Sequence, residues 1–433
     1  MAVSLVTRGA AVAGPQGGYA MEDTLIECCC GLDVHQGSIM ACLLTGPANS
    51  KPRKQLRRFG TMPAELVELR QWLLAAGCTA VAMESSGVYW IPVYAALEAD
   101  FELFVANPLR IKQIPGRKTD VKDCEWLARL LRQGMMPKSF VPPKPIRRLR
   151  ELLRFRRKMV ERAASQRNRV IKVLEVAGIK LASVASDVFG VSGHAMLKAL
   201  AEGSASPAQM AALAKGVLRR RLTDLEQALS VPLEEHQRMM LALSLDSLDY
   251  DEAQLAQLEA EIDRHLQPYR AQQQLLMRIP GVDRIIAASI IAEIGVDMSV
   301  FQDVAHLVSW AGICPGNNQS ADKRFSTRIA HGNPFLKTVL VQAAVSAARK
   351  QGSYLKDKFF RLKARRGFRR AAVAMAHKIL VIVYHMLKFG RPYQDLGDAY
   401  LDQLSRSRTK RNLVRRLERL GYTVVLQPIP ARP

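Results

Sequence analysis

The chain has 433 residues, 48% hydrophobic and 24% charged, enough apolar material for two or three packed domains and too much for a disordered polyelectrolyte. Its 63 Lys and Arg against 39 Asp and Glu give a formal net charge of +24, which favours nucleic acid over a membrane as partner, because phosphate neutralisation supplies most non-specific affinity. The seven cysteines lack paired metal-ligand spacing and no apolar run approaches about 18 uninterrupted residues, so a reducing, cytoplasmic setting with no membrane partner is expected.

In chain order, residues 1–24 are rich in Ala and Gly and read as a disordered leader. Leu25 to Asp33 is an apolar run in which Cys28, Cys29 and Cys30 serve as small strand residues. Gln36-Gly37 signals a turn and Ile39 to Leu44 a second strand, so the two predict a hairpin, and Gln55 to Phe59 adds a third strand. Pro63 to Ala76 carries Leu66, Leu69 and Leu73 at helical spacing, while Thr79 to Met83 and Phe101 to Ala106 read as strands. Three antiparallel strands followed by β-α-β units predict a mixed α/β sheet. A basic loop, Lys112 to Lys118, then precedes a helix through Trp126, Leu127, Leu130 and Leu131 that Thr119 is placed to cap, and the Pro-rich stretch Pro137 to Pro145 closes a domain over 25–145.

Residues 146–271 are helical and open with Arg147, Arg148, Arg150, Arg154, Arg156, Arg157 and Lys158. Leu241, Leu248, Leu255 and Ile262 recur every seven residues, and Leu245, Leu258 and Leu266 widen the stripe, which predicts an antiparallel helical hairpin or coiled coil. Ser244 and Asp251 interrupt the partner positions, so a helical spacer is expected in place of a long regular zipper. A third region, 272–395, opens with Ile279-Pro280-Gly281-Val282 ahead of Ala287, Ala288 and Ile291. That order resembles a helix-hairpin-helix, whose turn offers backbone N–H groups to a phosphate. Residues 396–433 read as a basic, mostly polar tail.

Four acids stand at the ends of predicted elements: Asp33 and Glu84 after strands, Asp120 and Asp123 three apart on one helical face. Strands of one sheet bring such side chains to a common edge, and Mg²⁺ ions at a phosphoryl-transfer site need several carboxylate oxygens, since the phosphate supplies only some of the ligands. His35 lies two residues beyond Asp33 and is expected to make an ordinary hydrogen bond. Arg117 and Lys118 in the basic loop, with Arg147, Arg148, Arg154 and Arg157, offer phosphate neutralisation; the basic clusters contain few aromatics, so backbone grip is expected more than base stacking.

The segments Gly-Leu-Asp33-Val-His, Met-Glu84-Ser-Ser-Gly-Val-Tyr-Trp, Asn-Pro-Leu-Arg and Lys118-Thr-Asp120-Val-Lys-Asp123 resemble the RuvC-like DEDD domain of the insertion-sequence "one-ten" family of transposases, recombinases guided by a bridge RNA. Ile-Pro-Gly-Val, then Trp310-Ala-Gly-Ile-Cys-Pro-Gly followed by Ser320 and the Gly332 segment, resemble that family's second domain, so the likeness runs from about Ile26 to Gly390. The resemblance implies an α/β RNase H-like (RuvC-like) N-terminal domain, a helical coiled-coil linker and a mainly α C-terminal transposase domain. It also implies a serine nucleophile, for which Ser320 is the match, a structured guide RNA, donor and target DNA, and a homo-oligomer, dimer to tetramer, in which acids and serine meet across protomers. Where the family commonly has Ser-Gly-Gly-Lys, this chain has Ser320-Ala-Asp-Lys323. Lys323, Arg324 and Arg328 flank the serine with cations suited to a pentavalent phosphorane, and Ser326 is its nearest rival. A metal-dependent, junction-resolvase-like nuclease using water, or a non-catalytic nucleic-acid scaffold, are the alternative readings.

Overall fold

The computed structural model describes residues 26–47, 50–111, 123–136, 138–314, 318–320, 323–326, 329 and 331–427, with backbone only at 109–110, 318–320, 323–326 and 408. The expected leader, Thr119 and the basic loop lie outside the described residues. Two compact units divide the chain, 1–141 and 142–433.

The first unit is a five-stranded sheet with helices on both faces. Its elements are β1 (Cys28–Val34), β2 (Ile39–Thr45), β3 (Arg53–Phe59), α1 (Pro63–Ala75), β4 (Ala80–Glu84), α2 (Trp90–Leu97), β5 (Glu102–Ala106), α3 (Pro108–Ile111) and α4 (Asp123–Arg132). Strand order is β3-β2-β1-β4-β5. The first three strands are antiparallel, and β4 and β5 join parallel to β1, as the short hairpin link and the longer helical crossovers require. This is the mixed sheet that the strand pattern predicts. Alternation along each strand separates two cores. Cys30, Leu32, Val81 and Met83 face α1 and α2, whereas Cys29, Cys42, Ala80 and Ala82 face α4 through Cys124, Leu127 and Ala128. All seven cysteines are free thiols, and burial pushes those of Cys29, Cys42 and Cys78 up to about 12.

The second unit is helical. It runs through α5 (Lys144–Val176), α6 (Leu181–Val184), α7 (Val191–Glu202), α8 (Pro207–Ala212), α9 (Leu222–Ala228), α10 (Glu235–Leu266), α11 (Arg270–Leu276), α12 (Arg284–Ile294) and α13 (Val304–Trp310), then β6 (Asn318–Ser320) and β7 (Lys323–Ser326). It ends with α14 (Pro334–Ala347), α15 (Tyr354–Arg366), α16 (Phe368–Phe389), α17 (Tyr400–Leu404) and α18 (Arg406–Arg419). The leucine stripe of α10 packs antiparallel on the arginine-rich α5, as pairings of Arg156 with Glu259, Arg162 with Asp251 and Gln166 with Ser247 require. Asp251, the break in the stripe, is buried and accepts from Arg162, so a charged pair replaces a leucine at that level. Helices α6 to α9 pack on these two long helices around a shared core, in which Leu181, Met196, Leu197 and Leu225 are buried with Val170 and Leu174 of α5 and Leu241 and Leu245 of α10.

Two helices add to what the sequence pattern predicts. The segment after Ser405 is a helix, α18, because Leu413, Leu417 and Leu420 fall at helical spacing among strong helix formers. By length and composition α16 is apolar enough to cross a membrane. It packs instead against α14 and α15, burying Ala371, Ala372, Met375, Ile379 and Val383.

Candidate active site

Register sets the geometry of the acids. Strands β1 and β4 pair in parallel from Cys29 with Ala80 to Leu32 with Met83, so the next residues, Asp33 and Glu84, end neighbouring strands side by side, about 4.8 Å apart in strand spacing. Alternation puts both on the α4 face, with Gly31 and Ala82. Gly31 is there because α4 lies directly on the strand: a Cβ at this position would collide with the Cys124 carbonyl and the Ala128 amide. Asp123, the residue before Cys124, begins α4 and is exposed at its N-terminus, where a carboxylate is favoured by the helix dipole. Fold and register therefore bring Asp33, Glu84 and Asp123 to one end of one sheet face. Asp120 lies outside the described residues.

The supporting contacts are polar and local. His35 Nε2 lies 3.2 Å from Asp33 Oδ2, the ordinary hydrogen bond expected of it, and Ser86 Oγ donates to Glu84 Oε2 at 3.4 Å. Trp90 opens α2 and meets Tyr94 edge-on at 5.7 Å, packing beside the strand end. On α4 the buried Glu125 accepts from Lys54 at 2.9 Å and from Arg129 at 2.6 Å. Its hydrogen bond to Lys54, with that to Arg129, holds its carboxyl below the usual range although burial opposes this. At the far end of α4, Arg132 donates to the carbonyls of Ile26, Glu27, Gly46 and Pro47, fastening the helix to the start of β1 and the end of β2. Among the described residues no three His, Cys, Asp or Glu side chains close into a metal-holding group. The donor set is nonetheless of the right chemistry, hard carboxylate oxygens at adjacent strand ends, for a divalent cation of the Mg²⁺ type.

In the second unit Ser320 is the last residue of β6 and pairs with Lys323, so its backbone stands at one end of the described two-stranded ribbon; Arg324 pairs with Gln319 on the same ribbon. Ser326 is at the ribbon's base, opposite Asn318. The loop carrying the ribbon is pinched at its root, where a Cβ on Gly332 would collide with the backbone of Ala311 and Gly312. The next residue, Asn333, caps α14 by accepting from the Phe335 and Leu336 amides and donates to Glu293 Oε2 at 2.6 Å.

Two family models match the chain. One, described as a transposase model for the DEDD domain of IS110 elements, covers residues 30–178; the other, described as "Transposase IS116/IS110/IS902 family", covers 273–359. Together they span more than half of the chain, in the order in which its two units occur. The chain belongs to the IS110 family of transposases. It is also 24% identical over 330 residues to the transposase for insertion sequence element IS1111A of Coxiella burnetii, covering 74% of this chain and 80% of that protein.

The arginines of this transposase divide into two groups. Arg154, expected to face a polyanion, forms a bidentate pair with the buried Glu293 at 2.8 Å on both arms and stacks on Phe335 at 4.2 Å, so it joins α5 to α12 and α14. Arg150 beside it donates to the Ala292 and Glu293 carbonyls, and burial pushes its guanidinium down to about 10. Arg157 is ion-paired with Glu161 at 3.0 Å. Arg147 is half-buried and Arg148 exposed near the start of α5; Arg117, Lys118 and Arg328 lie outside the described residues, and for Lys323 and Arg324 only the backbone is described. The Ile279-Pro280-Gly281-Val282 turn does join two helices, α11 and α12, but it faces inward. Gly281 (φ 83°) presses on the Ala343 and Ala347 backbone of α14, and the Val282 amide is taken by Ile279, so this turn offers no phosphate cradle. The sequence alone does not mark Glu293, because an acid inside an Ile-Ala-Glu-Ile run gives no sign of partners more than a hundred residues away.

Proposed function

We propose that this transposase is an RNA-guided DNA recombinase that excises and inserts its element through a covalent phosphoserine. The observation that carries the cleavage site is the placement of Asp33 and Glu84 at adjacent parallel strand ends on the face that α4 enters with Asp123. These three, with Asp120, are the proposed holders of a divalent metal; when bound, it supplies Lewis-acid stabilisation of charge on the phosphate. His35 orients the Asp33 carboxylate through its hydrogen bond.

Ser320 is the proposed nucleophile. Its oxygen bonds to phosphorus as the bond to a DNA sugar oxygen breaks, so one phosphodiester replaces another and a DNA hydroxyl is released. Return of a DNA hydroxyl reverses the exchange without an energy source. A position at a ribbon end suits a hydroxyl that must reach into a substrate, and Lys323, Arg324 and Arg328 supply positive charge around it. The exposed Arg148, with half-buried Arg147 and the basic loop containing Arg117 and Lys118, supports a grip on phosphates of DNA and of a structured guide RNA.

A second reading has support from the same acids: a metal-dependent site at which water attacks and the serine takes no part. One gel separates the two. Labelled element-end DNA incubated with the protein and its co-purifying RNA is expected to give a protein-linked band in denaturing detergent, lost in Ser320→Ala and kept in Ser326→Ala. Cleaved DNA with no linked protein, in the parent and in Ser320→Ala alike, overturns the phosphoserine. Sequencing the RNA that co-purifies tests the guide; the absence of one discrete species overturns it.

A further inference from the structure

The corner between α15 and α16 is a cationic surface with two rings on it. From Lys363 to Arg370 every residue is exposed, and Lys363, Arg365, Arg366, Arg369 and Arg370 fall within eight positions. Among the described residues none of the five pairs with a carboxylate, whereas Arg361, one turn earlier, is held by Asp357 and Asp402. Gly367, at φ 80°, ends α15 and starts α16 without a linker, so both helix ends contribute to one edge. Phe360 and Phe368 are 47% and 49% exposed there. Both rings stand edge-on to the buried Phe359, each at 5.7 Å and 77°, which fixes them, and Lys363 lies over Phe360 at 5.4 Å.

We infer that this corner binds single-stranded DNA, with unpaired bases stacking on Phe360 and Phe368 while the five cations follow the phosphates. Duplex recognition through the backbone has no use for two ordered, half-exposed rings, because paired bases hide their faces; cations alternating with aromatic rings suit a strand whose bases are free. A second copy of a chain carrying +24 is repelled by this edge. The strand is DNA because the family acts by moving DNA, and strand exchange opens it. The two rings lie just past the end of the second family match, at residue 359, and the inference is independent of whether serine or water attacks. For this corner it revises the expectation that the chain's basic clusters grip backbone more than they stack bases.

The test is fluorescence anisotropy of the full-length protein with labelled dT20, U20 and a 20-base-pair duplex. The pair Phe360→Leu with Phe368→Leu is expected to weaken dT20 binding about fivefold or more, with duplex affinity within about twofold of the parent, and Phe360→Tyr with Phe368→Tyr to bind dT20 as the parent does. Unchanged dT20 affinity in the leucine pair, equal loss on the duplex, or a loss confined to U20 overturns the inference. Should the leucine pair fail to fold, Arg365→Gln with Arg366→Gln and Arg369→Gln alters only exposed side chains; it is expected to reduce the slope of log affinity against log salt on dT20 by about 2, and an unchanged slope overturns the inference equally.

Discussion

Asn333 donates its side-chain amide to Glu293 at 2.6 Å, and that contact ties the foot of the serine loop to two arginines of α5, Arg150 and Arg154. Glu293 is buried on α12, Arg150 and Arg154 reach it from α5, and Asn333 caps α14 directly after the Gly332 pinch. The foot of the loop that carries Ser320 is thus anchored at Asn333 to a polar cluster centred on the buried Glu293.

Glu293→Gln removes the charge that two buried or half-buried guanidinium groups face, and is expected to cost about 3 kcal/mol. Asn333→Ala removes a helix cap and is expected to cost about 1 kcal/mol. Because the two share one hydrogen bond, urea denaturation of Glu293→Ala, Asn333→Ala and the double variant, which remove it from either end, should show a coupling of about 0.5 kcal/mol or more. Strict additivity would mean that the contact does not hold the loop.

Gly31→Ala places a methyl group against the backbone of α4 and is expected to destabilise the first unit by about 1–3 kcal/mol through overpacking. Gly37→Ala, where a Cβ meets nothing, serves as the control and should stay within about 0.5 kcal/mol of the parent in the same melts.

Acid sensitivity should carry a contribution from Glu125. Its folded pKa is depressed, first by the Lys54 hydrogen bond, so the stability it gives is fully present above the ordinary glutamate value of about 4.3 and is lost as pH falls through that value and then the folded one. Denaturation midpoints of Glu125→Gln should lie below the parent at pH 7 and converge on it toward pH 3. Parallel pH curves would remove Glu125 from the account.

The sheet is legible because its central strands are short apolar runs and most links between elements carry Gly or Pro: Ile39 to Leu44 and Thr79 to Met83 fall within a residue or two of β2 and β4. The convergence of Asp33 and Glu84 was legible for the same reason, since parallel pairing of their strands follows from the crossover. Gly31 carries a further signal, a glycine inside an apolar strand, which marks close backbone approach. Other features depend on partners that a linear pattern does not name. Asp251 looked like a fault in a leucine stripe until Arg162 filled it, Gly281 looked like a phosphate turn until α14 covered it, and Arg154 looked like a free cation until Glu293 accepted it. Charge counts along a helix record how many cations there are and leave open which of them face solvent.

The most direct measurement is calorimetric titration of Mn²⁺ into the parent, Asp33→Asn and Glu84→Gln, with DNA-strand cleavage assayed on the same preparations. The carboxylates at the two strand ends are expected to act together, so each variant should melt as the parent does, bind the ion at least about tenfold more weakly, and lose cleavage. Parent-like ion binding and cleavage in both folded variants would contradict the assignment of this sheet edge as the catalytic centre.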